Sequence, residues 1–333
     1  MSTKPGVPPT TTRSQPPIGI NIINPVANKL LPATATLSPL ATQALTFTEG
    51  PVYLPRLNRL AFVDIPAAAI MSSDLSAASP SPRASVITYS SNHSNGMFRS
   101  KIASEKVSEG EVILVCEGGG RRVVRLTLDK NASVVKREVI ADNYKGVPLN
   151  SPNDIIEKSD GTIFFTDPNY GCESLTGHVY PAQMPNRVYM VNPNTKEISI
   201  ADDCCVGPNG LTLSPDEKLL YIADSGGYTR DKFKSEIRLS KLNADGTVQP
   251  SELFVRVKPG VPDGIRCDTL GNIWSSAGDG VHIYSPSGEL IAKIHVGLQP
   301  ANLCFGGKNY DELFITARHQ VWRVTGLGVR GKP

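Results

Sequence analysis

Four short segments of this 333-residue chain each open with an acid or an amide followed by Gly or Asp. They are Glu49 in TEGPVYLP, Asn153 in SPNDIIEK, Asn209 in GPNGLTLS and Asp263 in VPDGIRCD. Glu and Asp supply anionic oxygen, and Asn supplies a carbonyl. Brought together, the four would hold two negative charges that one divalent cation neutralises. All-oxygen ligation suits Ca²⁺ first, or Mg²⁺, and tolerates Mn²⁺ or Zn²⁺. Turn formation alone would account for Asn209-Gly210 or Asp263-Gly264. It does not account for Pro152, Pro208 and Pro262 directly before three of the openers, nor for Glu49, whose Gly is followed by Pro51.

Such residues act together only if the chain brings them to one place. The openers lie 104, 56 and 54 residues apart, the first gap being close to twice the others. A period of roughly 50 residues marks a propeller or a solenoid. The doubled gap predicts a further unit in GEVILVCEGGGRRVVRLTLD (110–129), and ANLCFGGKNYDELFITA (301–317) supplies a last one. Six openers are thus expected, near residues 49, 110, 153, 209, 263 and 301. Asp160-Gly161 and Gly306-Gly307 lie between apolar runs as hairpin turns do. RVYMVNPNTKEISIADD (187–203), EIRLSKLNADGTV (236–248) and GVHIYSPSGELIAKIHV (280–296) read as outer hairpins. No segment sustains a 3.6-residue apolar period, so helix should be scarce. The expected fold is all-β: a six-bladed β-propeller with a central metal site, the openers converging at one end of its channel. A β-sandwich is the alternative for regular short strands.

Residues 1–20 are expected to form a flexible N-terminal tail and residues 21–333 a single propeller domain. The stretch 66–110, with DLSAASPSPR and SSNHSNGMFRS, reads as an insertion in the first blade, either a lid that sets substrate choice or a surface loop. A formal net charge of +3, from 34 Lys and Arg against 31 Asp and Glu, offers no nucleic-acid surface and no polybasic membrane surface. No apolar run reaches the roughly 18 residues of a membrane span. The first forty residues lack the charged and continuous apolar regions of a secretory signal, which leads to a cytoplasmic expectation. Cys116, Cys172, Cys204, Cys205, Cys267 and Cys304 show no CxxC or disulfide-framework spacing, consistent with buried thiols in a reducing compartment. The sequons at Asn92 and Asn131 would then go unused.

Other chemistries find less support. His93, His178, His282, His295 and His319 never fall at HExxH or HxH spacing. Gly118, Gly119 and Gly120 lack the GK[ST] ending of a phosphate loop, and no Ser sits in GxSxG.

TEGP, SPND with FFTDPNYG, GPNG with SPD and LYIADS, PDG with GNIW and AGDGVHIYSPSG, and PANLCFGG with LFITA resemble the gluconolactonase branch of the senescence-marker/gluconolactonase/luciferin-regenerating family. The resemblance covers about residues 45–325. It implies a six-bladed propeller with one divalent metal in the channel, and hydrolysis of lactones or of related esters or phosphoesters. By position Glu49, Asn209 and Asp263 match direct ligands, and Asn153 matches an Asn that ligates the metal or contacts water and substrate. Animal sugar lactonases of the family carry Arg two residues before the second opener. Ser151 stands there in this chain, so a sugar lactone is permitted but not indicated.

The expected activity is a metal-dependent lactonase whose cation polarises the carbonyl while water attacks. Asp263 is expected to serve as general base, or as nucleophile toward a phosphotriester, with Asn153 as the second catalytic residue. Two alternatives stand: an enzyme of the same fold acting on a non-sugar lactone, ester or phosphotriester, and a non-enzymatic metal-binding propeller. The expected partner is a small lactone or ester.

Overall fold

The computed structural model of the chain describes residues 16–41, 43–76, 84–172, 180–226 and 234–332. Its strands form six antiparallel blades, each read from the channel outward. The first is Thr48–Leu54, Arg59–Asp64, Ala69–Asp74 and Ser85–Thr88. The second is Ser94–Arg99, Glu111–Glu117, Arg122–Leu128 and Val134–Ala141. The third is Ile155–Glu157, Ile163–Asp167, Arg187–Val191 and Ile198–Asp202. The fourth is Pro208–Leu213, Leu219–Asp224, Glu236–Lys241 and Glu252–Arg256. The fifth is Ile265–Cys267, Ile273–Ala277, Gly280–Tyr284 and Leu290–His295. The sixth opens with Asn302–Gly306, Glu312–Ala317 and Gln320–Thr325.

The N-terminal segment completes the last two blades. Gly19–Ile22 adds a fifth strand to the fifth blade, in register from Gly19 opposite His295. Thr36–Ala41 pairs antiparallel with Gln320–Thr325 as the outer strand of the sixth. That blade is therefore built from both ends of the chain. Each innermost strand packs against the next, and the sixth packs against the first, which closes the ring. Neighbouring innermost strands meet start to start: Gly96 donates to the Asn153 carbonyl at 2.6 Å, Gly210 to Asp263 at 3.1 Å and Gly264 to Ala301 at 2.8 Å.

The second strands read as unbroken apolar runs because both of their faces are buried. Side chains alternate between faces of a strand. Phe165 accordingly packs toward the second blade with Leu114 and Cys116, and Phe164 toward the fourth with Leu211 and Ile222. Trp274 of the fifth blade meets Phe305 of the sixth edge-on, with ring centroids 5.3 Å apart. The Asp160-Gly161 turn forms as the sequence predicts, with Gly161 at φ +91°. Helix is scarce among the described residues: one four-residue α-turn, Lys101–Ser104, and 3₁₀ turns at Pro25–Lys29 and Tyr170–Cys172.

Three sequence expectations need correction. The stretch 66–110 is mostly blade: it carries the outer strands of the first blade and the innermost strand of the second. Residues 77–83 lie outside the described residues, so a lid there is not addressed. The segment 110–129 supplies the second and third strands of its blade, and the opener is Asn95-Gly96. That strand opens with Ser94, Asn95 and Gly96, which together read as loop. The N-terminal boundary also moves, since Gly19 and Ile20, placed in the tail, belong to a strand.

Closure by Thr36–Ala41 has a measurable consequence. A chain beginning at residue 43 leaves Gln320–Thr325 as an unpaired edge and uncovers the cluster around Leu40 and Val321. Its thermal midpoint should fall by about 10 °C or more relative to the full chain, read by circular dichroism.

Candidate metal centre

Each expected ligand stands at the start of an innermost strand, at the same mouth of the channel. Glu49, Asn153 and Asn209 are 3%, 8% and 5% exposed. The loops that present them are clamped from behind. Asp64, at the end of its blade's second strand, accepts the N–H groups of Thr46 and Phe47 at 2.9 and 3.1 Å. Asp167 does the same for Asn150 and Ser151, both at 2.8 Å, and Asp224 for Val206 and Gly207 at 3.0 and 2.8 Å. In each case the clamped pair ends two residues before an opener. The fifth blade uses a hydroxyl instead: Ser276 Oγ accepts the N–H of Asp263 at 2.9 Å.

The residue after each opener faces into the channel. Four of these are Gly and the other two are Asp154 and Asn302. A Cβ on Gly96 would lie 2.3 Å from Asp154 Oδ1, and one on Gly264 would lie 2.1 Å from Asn302 Oδ1. The glycines make room for two buried polar side chains. Asn302 donates through Nδ2 to Glu49 Oε2 at 2.9 Å, and Gly50 N donates to the same oxygen at 2.7 Å. Asp154 accepts from Ile155 N at 2.9 Å and from Arg266 Nη1 at 3.4 Å.

Buried Glu49 and Asp154 and half-buried Asp263 thus share a single guanidinium. Burial first, and the Asp154 charge with it, push the Glu49 carboxyl up to about 7 against the hydrogen bonds from Gly50 and Asn302 and the charge of Arg266. Asp263 is held well above the usual carboxylate range by burial, then by Glu49 and Asp154. Asp154 is raised by burial and only partly relieved by Arg266. The channel mouth is short of positive charge.

The donors present fit a hard cation. Glu49 Oε1 has no hydrogen-bond partner among the described residues. Asn209 donates its amide protons to Ser225 Oγ at 3.2 Å and to Asp263, which leaves its Oδ1 without a partner among the described residues. Among those residues no three His, Cys, Asp or Glu side chains form a metal-binding group. A cation here would therefore use the amide oxygens of Asn153 and Asn209 as well as Glu49 and Asp263.

Sequence reasoning missed Asp154, Asn302, Arg266 and Ser225. For the first two a signal existed, since each breaks the Gly that follows the other openers. Ser225 donates its hydroxyl proton to the Pro262 carbonyl, so it can only accept from Asn209. It spans the fourth and fifth blades between two expected ligands. Nearby, the Tyr170 hydroxyl donates to Gly207 O at 2.7 Å, and burial, then Asp263 and Asp224, hold its proton firmly.

Two outcomes follow. Ser225→Ala frees the Asn209 amide to turn, and should weaken divalent-cation affinity by about ten-fold in calorimetric titration while the melting curve stays cooperative. In chelator, Glu49 and Asp167, the latter also raised to about 7 by burial, keep their protons to higher pH in the folded chain than in the unfolded one. The folded state then binds more protons between roughly pH 4.5 and 7, so stability should fall as pH rises through that window. Denaturant titrations across it check the sign, and saturating cation should remove the Glu49 share.

The profile of the SMP-30/Gluconolactonase/LRE-like region matches residues 47–319. A gluconolactonase of Zymomonas mobilis is 30% identical over 320 residues, covering 92% of this chain and 85% of that protein. A solved structure provisionally described as a gluconolactonase superposes with a TM-score of 0.81 at 30% identity, covering 95% of this chain and 100% of the other. A Xanthomonas campestris gluconolactonase structure gives 0.78 at 26%, covering 95% and 99%. With its six blades and with 273 of its residues inside that match, the chain belongs to the SMP-30/gluconolactonase/LRE-like family.

Proposed function

We propose that this chain is a hydrolase that opens lactones at the mouth where its innermost strands begin. Glu49, Asn153, Asn209 and Asp263 would hold one divalent cation there, with Ca²⁺ the best match to an all-oxygen donor set. The observation that carries the reading is an excess of negative charge at the channel mouth: buried Glu49 and Asp154 and half-buried Asp263, with Arg266 as the one guanidinium beside them among the described residues. A scaffold with no bound cation has no use for that arrangement. Similarity to gluconolactonases supports a cyclic ester as substrate.

When bound, the cation supplies positive charge against the carbonyl oxygen of the lactone. The chain's own groups handle the proton. Asp263 takes it from the attacking water as oxygen bonds to the carbonyl carbon. The ring C–O bond then breaks, and the proton passes to the departing alkoxide, giving a hydroxy acid. Asn153 can donate from its amide nitrogen to a substrate or water oxygen, which a carboxylate cannot do. Asn302 and Gly50 hold one oxygen of Glu49 so that the other is available.

A narrower reading concerns the substrate. Ser151 is buried, and its N–H is held by Asp167. A hydroxyl at that place permits a sugar lactone without singling it out, and leaves a non-sugar lactone or ester as the alternative substrate.

Asp263→Ala should lower kcat by about 10²–10⁴-fold and remove stoichiometric cation binding, and Glu49→Ala should do likewise. Either variant with wild-type turnover of D-glucono-1,5-lactone and unchanged metal content would refute the assignment. The wild type should lose activity in chelator and regain it with Ca²⁺. Asn153→Asp should cost about 10²-fold in kcat with little change in melting temperature, and an unchanged kcat would assign Asn153 to turn geometry.

A further inference from the structure

The channel has a second mouth. The ends of the innermost strands, including Tyr53, Arg99, Glu157, Cys267 and Phe305, enclose a cavity of about 410 Å³. Four residues of strand separate Glu49 from Tyr53, which puts roughly 13 Å between the two mouths. The volume falls within the range of small-molecule pockets.

The walls are mostly apolar, with Tyr53 and Tyr310 packed edge to face at 5.6 Å between ring centroids. The carboxylates that line the cavity are mostly engaged. Glu217 accepts from Lys332 at 2.6 Å and from Ser159, and Glu157 accepts from Ser100 at 2.9 Å. Arg99 is turned to Glu111 at 2.8 Å and Lys158 pairs with Asp160. Lys101 and Glu105 stand one helical turn apart on the rim and offset each other in charge.

Arg266 also lines the cavity, and it is different. Its side chain is 9% exposed. Nη1 donates to the Ile265 carbonyl at 2.7 Å and reaches Asp154 and the Leu211 carbonyl at 3.4 Å. Nη2 is buried and has no acceptor among the described residues. An unsatisfied buried donor on a cation is costly, more so than one on a neutral group. A ligand that brings an anionic group to this end of the cavity would set negative charge beside a guanidinium with a donor to spare and fill an apolar space at once.

We propose that this far mouth is a second binding site, separate from the hydrolytic one, for a small amphipathic monoanion: a carboxylate on a compact apolar body, its charge directed at Arg266. The site shares neither the mouth nor the expected ligands of the hydrolytic one and meets it only through Arg266, so it stands or falls without the lactonase reading.

Phenylacetate and its neutral isostere phenylacetamide test the proposal on the full-length protein by calorimetric titration. Phenylacetate should bind once per chain with a Kd below about 1 mM, at least about ten-fold tighter than the amide. Ile102→Trp, which puts an indole into the cavity, should abolish the titration while turnover of D-glucono-1,5-lactone stays within about two-fold of wild type. Arg266→Met should bring acid and amide to equal affinity. If that variant fails to fold, the wild-type comparison and Ile102→Trp still decide. Equal affinity for acid and amide in the wild type, no titration of either at about 10 mM, retained binding in Ile102→Trp, or competition between phenylacetate and the lactone would each overturn the proposal. The first two outcomes would leave Nη2 to a channel water, and the last would place the acid at the other mouth.

Discussion

The arrangement at the centre of this propeller is governed by negative charge that the fold does not let reach water. Six strand starts converge on an axis, and three of them contribute a carboxylate there or one residue further on: Glu49, Asp154 and Asp263. Desolvation opposes ionisation of each, and each repels the others. Arg266 supplies one opposing charge from within the chain. Packing alone would have chosen apolar side chains at these places, since a buried ion pair rarely outperforms them. Their presence leaves a centre in which carboxylates outnumber the positive charge beside them.

Holding such groups in place takes a rigid outer frame. The clamps of Asp64, Asp167 and Asp224 give it at modest complexity: one carboxylate at a strand end catches two consecutive N–H groups of the loop behind an opener. The loop can then vary outward while its last residues stay fixed. Ser225 extends the same logic sideways, tying Asn209 to the carbonyl just before Asp263. The two expected ligands on neighbouring blades are thereby set relative to one another and not only relative to their own strands.

Much of this was legible before any coordinates. Asn153, Asn209 and Asp263 announce themselves through the preceding Pro, and the apolar runs after them fixed the period. Asn95 was not legible, because SNGM sits among Ser and Asn residues whose burial comes only from the ring around them. Thr36–Ala41 was equally hidden. TLSPLA has little strand pattern of its own, and it becomes a strand because Gln320–Thr325 offers an open edge once the ring closes. Asp154 and Asn302 could have been found as departures from Gly, but their meaning depends on a contact across the axis. Arg266 looked like an ordinary basic residue in a strand. Long-range contacts of this kind leave no trace in local spacing.

Arg266 also shows why the two halves of the channel should be considered together. A planar guanidinium presents several donors in fixed directions, where an ammonium is a compact point charge. Here the fork reaches a strand carbonyl, a second carbonyl and Asp154 through Nη1, and Nη2 has no acceptor among the described residues. The residue stands between the carboxylates of one mouth and the cavity of the other. Whatever satisfies Nη2 acts on the same guanidinium that offsets Asp154. Asp154 in turn repels both Glu49 and Asp263. The two mouths therefore meet at a single side chain, Arg266.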